Sequence, residues 1–529
     1  MADIEKKPPT PAPDAGLRNL DHYKYRLPKY RYILRQKFLP LMRWETPYLA
    51  WFQEHTRTPG LDTYFAMTAN LGTHTFFMVM LPIMFWFGYT NLGRAMVHIL
   101  AAGVFFSGFV KDLLCLPRPL SPPLHRITMS GSAALEYGFP STHSTNAISV
   151  GLYGLLAIRA DSSIDPTFRL SMQLLAWIYM ISIVLGRLYC GMHGFLDVII
   201  GSALGALLAW IQWAFRAQID TFIYSGDWKV PLMVVATILV LVRIHPEPAD
   251  SCPCFDDGVA FAGVIIGADI GHWHFAHSRF SLNTPSPATV PYSYVELGLG
   301  KSIARVFLGV IIIFAWREIM KPTLHSLLPP VFRWIEQIGL SLPRKDYKQA
   351  SEYTKVPALA DDTLPRLQEL PALIHNISRR TRSDSVGPQS AADAYETLAY
   401  REKRRRESLD STGANRPTLH MRGTSNEGMG TGMSNYESEM GMGKVGSVEE
   451  KLVQGNEASE SKFPKEGEEE GEAQERREEA EMFMRIERPR VRYDVEVITK
   501  LFVYSGIAWL AVEGNPILFE IVGLGMGVR

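Results

Sequence analysis

Long apolar runs separated by short polar links dominate the chain from residue 75 to residue 317. A membrane-spanning helix needs about 20 apolar residues, and slightly shorter runs suit tilted helices that pack against neighbours. The pattern therefore predicts an all-α, polytopic membrane bundle with about eight or nine transmembrane helices. The runs cover about residues 75–90, 94–110, 145–159, 169–188, 195–215, 230–244, 257–271, 301–317 and 498–527.

The segments outside these runs differ in composition. The first residues are rich in Pro, Lys and Arg and lack the apolar core of a secretory signal. A long polar stretch after residue 345 is rich in Ser, Glu, Arg and Gly, and it cannot bury enough apolar surface to become ordered. We therefore predict a basic N-terminal segment (1–44), a membrane domain (45–345), a disordered insert (346–492) and a C-terminal membrane segment (493–529). Residues 45–58 look amphipathic and are expected at the membrane interface.

Three further patterns lie near the end of the membrane domain and in the insert. Pro329-Pro330 is expected to break any long helix within 318–345 and to leave a re-entrant or surface segment. Basic residues precede Ser408, which would suit a kinase, although a solvated tail is the favoured explanation. Asn376-Ile-Ser378 is a glycosylation sequon, which matters only if the insert is lumenal.

The charge balance and the cysteines exclude some classes of function. The chain has 54 basic and 54 acidic residues, so no bulk attraction to nucleic acid is expected. Its four cysteines lack the spacing of a zinc site. A further set resembles metal ligands, but its place at a span end beside a tryptophan favours an interfacial loop. This set is Asp269, His272, His274 and His277.

Charged residues within the membrane domain gather in three clusters at the ends of apolar runs. The second run ends on one side of the membrane, the third starts there, and the fourth returns to it. All three clusters therefore emerge on the same face, which allows them to form one site. The clusters are Lys111–Pro119, Tyr137–His143 and Gly186–Asp197.

The first group of candidate side chains suits a phosphate. Lys111, Arg118 and Arg187 are three cations, enough to neutralise a phosphate dianion and the charge of its transition state. Ser141 and Thr142 stand where a helix is expected to begin. Free N–H groups and the helix dipole favour an anion at that position.

Two histidines and a carboxylate supply the candidate chemistry. His193 would attack phosphorus to give a phosphohistidine, which water would then hydrolyse. His143 would protonate the leaving alkoxide and later act as base. Asp197 follows His193 by four residues and would orient it from the same helix face. The three cations would neutralise the negative charge of the phosphate, so neither a metal nor another cofactor is expected. A transporter that only holds an anionic lipid is the alternative from a different class.

At these residues the sequence resembles the type 2 phosphatidic acid phosphatase superfamily. The family pattern is Lys-x6-Arg-Pro, then Pro-Ser-Gly-His, then Ser-Arg-x5-His-x3-Asp. The resemblance implies a core of six helices and the phosphohistidine route. Thr142 replaces the glycine of the second motif, and Gly186 replaces the serine before the arginine of the third motif. The matching residues are Lys111, Arg118-Pro119, Pro140–His143, Arg187, His193 and Asp197.

Residues 136–143 and 187–193 resemble, more finely, the sphingoid base 1-phosphate phosphatases in a fungal-like form. This resemblance implies dephosphorylation of dihydrosphingosine or phytosphingosine 1-phosphate in sphingolipid metabolism. It also implies a multi-pass protein of the endoplasmic reticulum membrane whose site faces the lumen, with a lipid and the bilayer as partners. A phosphatase for phosphatidate or a polyprenyl phosphate is the alternative among enzymes, and a vanadate-dependent peroxidase ranks last.

The membrane orientation contains a conflict. If only two runs precede the first cluster, the N-terminus lies on the side of the site. Its basic residues favour the cytosol, whereas the resemblance puts the site in the lumen. Either one of these expectations is wrong or residues 45–74 contribute another crossing.

Overall fold

The computed structural model describes residues 14–357 and 491–526, apart from residues 73, 122, 128–134, 225, 283, 285, 342 and 343. Nearly all of the predicted disordered insert, with Ser408 and Asn376, lies outside these residues. The described chain is almost wholly helical, and its two strands have two residues each. The prediction of an all-α fold is confirmed.

Fourteen α-helices are present in the described residues. A π-helical turn, Leu510–Gly514, joins the last two. The helices are α1 (Leu20–Arg26), α2 (Lys29–Thr56), α3 (Pro59–Ala69), α4 (His74–Trp86), α5 (Thr90–Leu114), α6 (Thr142–Ala160), α7 (Pro166–Tyr189), α8 (Phe195–Ala214), α9 (Arg216–Ile223), α10 (Lys229–Ile244), α11 (Cys254–Ala276), α12 (Tyr294–Gln337), α13 (Val495–Trp509) and α14 (Asn515–Ile521).

Every predicted apolar run is occupied by a helix, so the chain is a multi-pass membrane protein. Among the described residues, five helices are long and apolar enough to cross a membrane by length and composition. A shorter apolar helix covers Phe76–Trp86. The exact number of spans stays a prediction. The five are Thr90–Leu114, Pro166–Tyr189, Phe195–Ala214, Tyr294–Gln337 and Val495–Ile521.

The bundle has two ends, and successive passes run between them in alternating directions. We call the end that holds the C-terminus of α5 and the N-terminus of α6 the site end. At the opposite, far end, Arg305 near the start of α12 donates to the carbonyls of Trp86 and Leu524 at 3.0 and 2.6 Å. Helices α4 and α14 therefore finish at the far end.

Glycines bring α6 and α8 unusually close together. A Cβ at Gly201 would lie 2.5 Å from the carbonyl oxygen of Ser141, and one at Gly205 would lie 2.3 Å from that of Thr145. Larger side chains would push the helices apart. Small residues at these positions therefore allow the close contact of the two helices.

Helix α2 lies across the site end and does not add a crossing. Arg31 and Arg35 donate to the carbonyls of Leu113 and Cys115 at 2.8 and 3.1 Å, where α5 leaves its last carbonyls unpaired. Gln53 donates to the carbonyl of Tyr189 at the end of α7, at 2.8 Å. The N-terminal region therefore lies at the site end.

Helices α3 and α4 together make the first pass. The hydroxyl of Tyr189, at the site end, donates to Asp62 of α3 at 2.6 Å, whereas Trp86 ends α4 at the far end. Two passes, α3–α4 and α5, thus precede the first polar cluster. Residues 45–74 supply only part of the first of them.

The prediction that Pro329-Pro330 breaks the helix is wrong, because α12 continues through both prolines to Gln337. Contacts beyond the prolines hold the last turns in place. Arg333 donates to the carbonyls of Ala350 and Tyr353, both at 3.0 Å. The departure from helical geometry lies instead at Gly298, whose φ is 67°.

The insert is attached to the bundle at the site end. Strand β1 (Tyr347–Lys348), at the start of the predicted insert, pairs in parallel with β2 (Arg492–Tyr493) at its end, so both ends of the predicted insert are ordered. Asp256, in the first turn of α11, accepts a hydrogen bond from Tyr347 at 3.1 Å and forms an ion pair with Arg492 at 3.2 Å. The chain therefore leaves and rejoins the bundle at one place.

Candidate active site

Two of the predicted cations meet at one carboxylate. Lys111 lies in the last turn of α5 and is buried, and its Nζ is 2.6 Å from Oε1 of Glu136. Arg118 pairs with the other oxygen of Glu136 and donates from Nε to the Glu136 carbonyl at 3.1 Å. Cys115 in the left-handed region ends α5, which turns the chain back towards these groups. The first predicted cluster thus forms a compact cationic corner.

His193 lies in the short link between α7 and α8, beside Arg118. Its Nε2 is 3.1 Å from Nη1 of Arg118, which also donates to the carbonyl of Met192 at 2.9 Å. Because a guanidinium can only donate, Nε2 is the acceptor, and the ring proton belongs on Nδ1. Burial lowers the pKa of His193 well below its ordinary value, and Arg118 and Lys111 lower that pKa further. The ring is therefore neutral, with its lone pair turned to the cations.

Asp197 closes the start of α8 on the other side of the His193 ring. Its Oδ2 accepts from the backbone N–H of Gly194 at 2.8 Å and lies 3.5 Å from His193 Nδ1. Its Oδ1 is buried and has no hydrogen-bond partner in the described chain. The side chains of His193 and Asp197 lie close together, as predicted. His193 precedes α8, however, so the Asp197 side chain points back past the start of the helix towards the His193 ring.

The second cluster begins α6 where the sequence predicted a helix start. Ser141 is the N-cap residue, and its Oγ accepts from the N–H of Ser144 at 3.3 Å. The hydroxyls of Thr142 and Ser107 are 2.9 Å apart. Ser141 also donates its N–H to the carbonyl of Asp197 at 3.0 Å, which ties α6 to the His193 loop. The phosphate-binding roles of Ser141 and Thr142 stay predictions.

His143 occupies the first turn of α6 and is partly exposed. Its charge acts on both His193 and Glu136, since it lowers the pKa of each side chain. The second cluster therefore faces the first and the third, as the count of crossings predicted. Its role as general acid and base stays a prediction.

Arg187, the third predicted cation, lies buried in the last turn of α7. Its Nε has no hydrogen-bond partner in the described residues, and its charge lowers the pKa of His193. The preceding Gly186 explains one departure from the family pattern. A Cβ there would lie 2.9 Å from the ring of Phe65 in α3, so a serine would displace that ring.

Two glutamates of the site were missed by sequence reasoning. Glu136 contacts Lys111 and Arg118 and directly precedes the second polar cluster, whose pattern gives no sign of an acidic group. Glu45 of α2 is buried, and its two oxygens accept from the N–H of Leu196 at 3.0 and 3.2 Å. No local pattern marks Glu45, because its partner lies 151 residues away.

The four residues that resemble a metal set do not converge. Asp269 accepts from His98 at 2.7 Å, His272 Nδ1 faces the Ala268 carbonyl, and His274 pairs with Glu513. The expectation of an interfacial loop is wrong, because α11 runs to Ala276 and carries three of the four residues. The apolar face of these helical turns is packed in the bundle.

A different buried set could hold a metal ion. The ligand atoms of Asp112, Cys252 and Cys254 lie within 4.8 Å of one another. Two thiols and a carboxylate are ligands that suit zinc. Asp112 follows Lys111 in α5 but points away from the cluster around His193, towards His245 at 3.7 Å.

Comparison with known proteins places the three polar clusters within one family domain. A profile described as the PAP2 superfamily matches residues 92–220, which contain all three polar clusters. A protein of Schizosaccharomyces pombe named dihydrosphingosine 1-phosphate phosphatase is 42% identical over 327 residues, covering 60% of this chain and 76% of that protein. The chain belongs to the PAP2 superfamily.

Other PAP2 relatives are named as lipid phosphatases as well. A dihydrosphingosine 1-phosphate phosphatase of Saccharomyces cerevisiae is 36% identical, covering 61% of this chain and 78% of that protein. An Arabidopsis thaliana protein named lipid phosphate phosphatase delta is 28% identical, covering 51% and 65%. No solved structure shows significant similarity to the chain. This PAP2 protein is therefore a membrane-bound lipid phosphate phosphatase.

Proposed function

We propose that the protein hydrolyses sphingoid long-chain base 1-phosphates, such as dihydrosphingosine and phytosphingosine 1-phosphate, to the free base and inorganic phosphate. The observation that carries the chemistry is the neutral His193, whose Nε2 lone pair is held among buried cations. The printed names of the two fungal relatives support the choice of lipid.

The first half of the reaction transfers the phosphoryl group to the enzyme. Lys111, Arg118 and Arg187 hold the phosphate oxygens, together with the N-terminus of α6. Nε2 of His193 attacks phosphorus, and the bond from phosphorus to the lipid oxygen breaks. His143 gives its proton to the leaving alkoxide, while Asp197 stabilises the positive charge on the His193 ring.

The second half regenerates the enzyme. His143, now neutral, takes a proton from water, and the hydroxide attacks the phosphohistidine. The bond from phosphorus to Nε2 breaks, inorganic phosphate leaves, and His193 is again neutral. The arginines and the lysine supply the positive charge throughout, so we propose that no metal ion takes part.

A lipid fits this site because the site lies at the end of the bundle. The phosphate head can reach the polar cluster while the tail stays in hydrocarbon. We place the protein in the endoplasmic reticulum membrane, with the site end in the lumen and the activity in sphingolipid metabolism.

Release of inorganic phosphate from matched lipids tests the substrate. The purified protein, with a chelator present, should act fastest on the two sphingoid base phosphates. Faster release from phosphatidate or a polyprenyl phosphate would favour the alternative phosphatase. Binding without release from any lipid would favour an anion-lipid transporter. Acid-labile, base-stable label on His193 after a rapid quench would reveal the phosphohistidine.

The natural sequon tests the orientation. The insert begins and ends at the site end, and its polar sequence contains no run that could cross a membrane. A lumenal site therefore predicts a glycan on Asn376, detected as a mobility shift that endoglycosidase and Asn376→Gln both remove. Phosphate on Ser408 of the membrane-embedded protein in cells would place the site end in the cytosol instead.

A further inference from the structure

Glu136 is a carboxylate at the centre of a site built for an anion. It pairs with Lys111 through Oε1 at 2.6 Å and with Arg118 through Oε2. A phosphate must take over these two cations, and a neighbouring carboxylate repels it. Glu136 therefore weakens phosphate binding unless it contributes something else.

Exposure separates Glu136 from the cations that it contacts. Its side chain is 28% exposed, whereas those of Lys111 and Arg118 are 2% and 5% exposed. The carboxylate thus lies between the buried cations and the open side of the cluster. A lipid head that enters meets Glu136 before it meets Lys111.

Glu136 is ionised under all ordinary conditions. Burial alone would raise the pKa of Glu136, but Lys111 and Arg118 outweigh burial and lower that pKa to about 2. The group is therefore a permanent negative charge, and it accepts hydrogen bonds but cannot donate them.

We propose that Glu136 binds the ammonium group of the substrate and so selects sphingoid base phosphates. This inference rests on the proposed function and adds the basis of its selectivity. In these lipids the ammonium stands on the carbon next to the one that carries the phosphate. Phosphatidate has a neutral ester at that position. When the phosphate takes Lys111 and Arg118, the released carboxylate gains a cation of the substrate within reach.

The competing explanation is that Glu136 only clamps Lys111 and Arg118 in place. The two explanations differ in what they predict for different lipids. A clamp supports every substrate equally, because every substrate carries the phosphate. An ammonium-binding group supports only lipids with a free amine.

The experiment compares dihydrosphingosine 1-phosphate with its N-acetyl derivative, which keeps the phosphate and the long chain but replaces the ammonium with a neutral amide. Wild-type protein should prefer the free amine. Glu136→Gln should lower the ratio of the two kcat/KM values by about tenfold to a hundredfold. The loss should fall on the amine substrate and chiefly on KM. Glu136→Asp, which keeps the charge, should retain part of the preference.

Glu45→Gln is the matched control, because Glu45 is a second glutamate near His193 but is buried and faces the N-terminus of α8. Its rates are free to change, but the ratio should stay that of the wild type. If Glu136→Gln is too slow to assay, binding of both lipids is measured in the His193→Ala background. In that background, Glu136→Gln should abolish the tighter binding of the lipid with the free amine.

Equal losses on both lipids in Glu136→Gln would overturn the inference and leave the clamp. An unchanged ratio, or a wild type without preference for the amine, would overturn it as well. Failure of the proposed function is a separate outcome, because it would show as a wild type that acts faster on phosphatidate or a polyprenyl phosphate than on either base phosphate.

Discussion

Helix α5 carries a buried cation near each end, and the two surroundings differ. At the far end, Arg94 forms an ion pair with Asp220 of α9, and His98 lies 2.7 Å from Asp269 of α11. At the site end, Lys111 and Arg118 share the single carboxylate of Glu136. Both ends therefore combine arginine or lysine, histidine and a carboxylate.

The difference between the two ends is charge balance. At the far end, Arg94 and His98 of α5 each contact a carboxylate of their own. At the site end, Arg187 adds a third buried cation whose Nε is unpaired in the described structure, and His193 stands 3.5 Å from Asp197. Leaving a buried charge without a partner costs several kcal/mol, so cations that share one carboxylate or lack one persist where a ligand completes their pairing. Composition alone does not distinguish a structural cluster from an anion site, but charge balance does.

Replacing one histidine at each end by alanine should give the largest contrast in turnover. His193→Ala removes the proposed nucleophile and should lower kcat by about 10⁴-fold or more. His98→Ala should leave kcat near the wild-type value and reduce stability by roughly 1–3 kcal/mol, because it leaves Asp269 without its partner. Phosphate release and thermal unfolding in detergent measure the two effects.

A His193→Ala protein that keeps wild-type turnover would refute the nucleophile assignment. A His98→Ala protein with normal stability but no turnover would refute the comparison itself. It would show that the balanced cluster takes part in catalysis.

Removing one arginine at each end should give a smaller contrast. Arg187→Gln should lower kcat/KM by about 10²–10³-fold, because one cation of the transition state is lost. It also removes a charge that lowers the pKa of His193, so that pKa should rise. The acid limb of kcat/KM should therefore move to higher pH. Arg94→Gln should leave that limb in place and should lower only the unfolding temperature.

The pH profile of the residual activity is the decisive measurement. An acid limb that stays at the wild-type pH in Arg187→Gln would show that another group controls it. The same rate loss in Arg94→Gln would show that both ends support the site through general stability.

Much of the bundle was predictable because each membrane helix is determined by one continuous run of apolar residues. Apolar runs placed the passes, and their alternation brought Lys111, Ser141 and His193 to one end before any contact was known. The packing between helices was not predictable in this way. The break expected at Pro329-Pro330 is absent because residues 350 and 353 hold the helix beyond it.

The site was predictable in its motif residues and not in its partners. Arg94 and Asp220 are 126 residues apart, and His98 and Asp269 are 171 apart. No spacing rule connects residues at such distances, so the far-end set resembled a metal site. Glu136 was missed for a related reason, because an acid among phosphate-binding cations contradicts the simplest expectation.

The smallest effect should come from Glu45, which supports the site end from helix α2. Its carboxylate accepts from the N–H of Leu196 in the first turn of α8, close to His193. A negative charge favours a helix N-terminus by about 0.3–1 kcal/mol, so Glu45→Gln should cost roughly that much stability. Because the His193 loop then moves more freely, kcat should fall by only a few-fold. Rates and unfolding temperatures of Glu45→Gln and Glu45→Ala measure this support. A loss as large as that of Arg187→Gln would mean that Glu45 belongs to the reacting groups, and that charge balance at the site end must be counted with it.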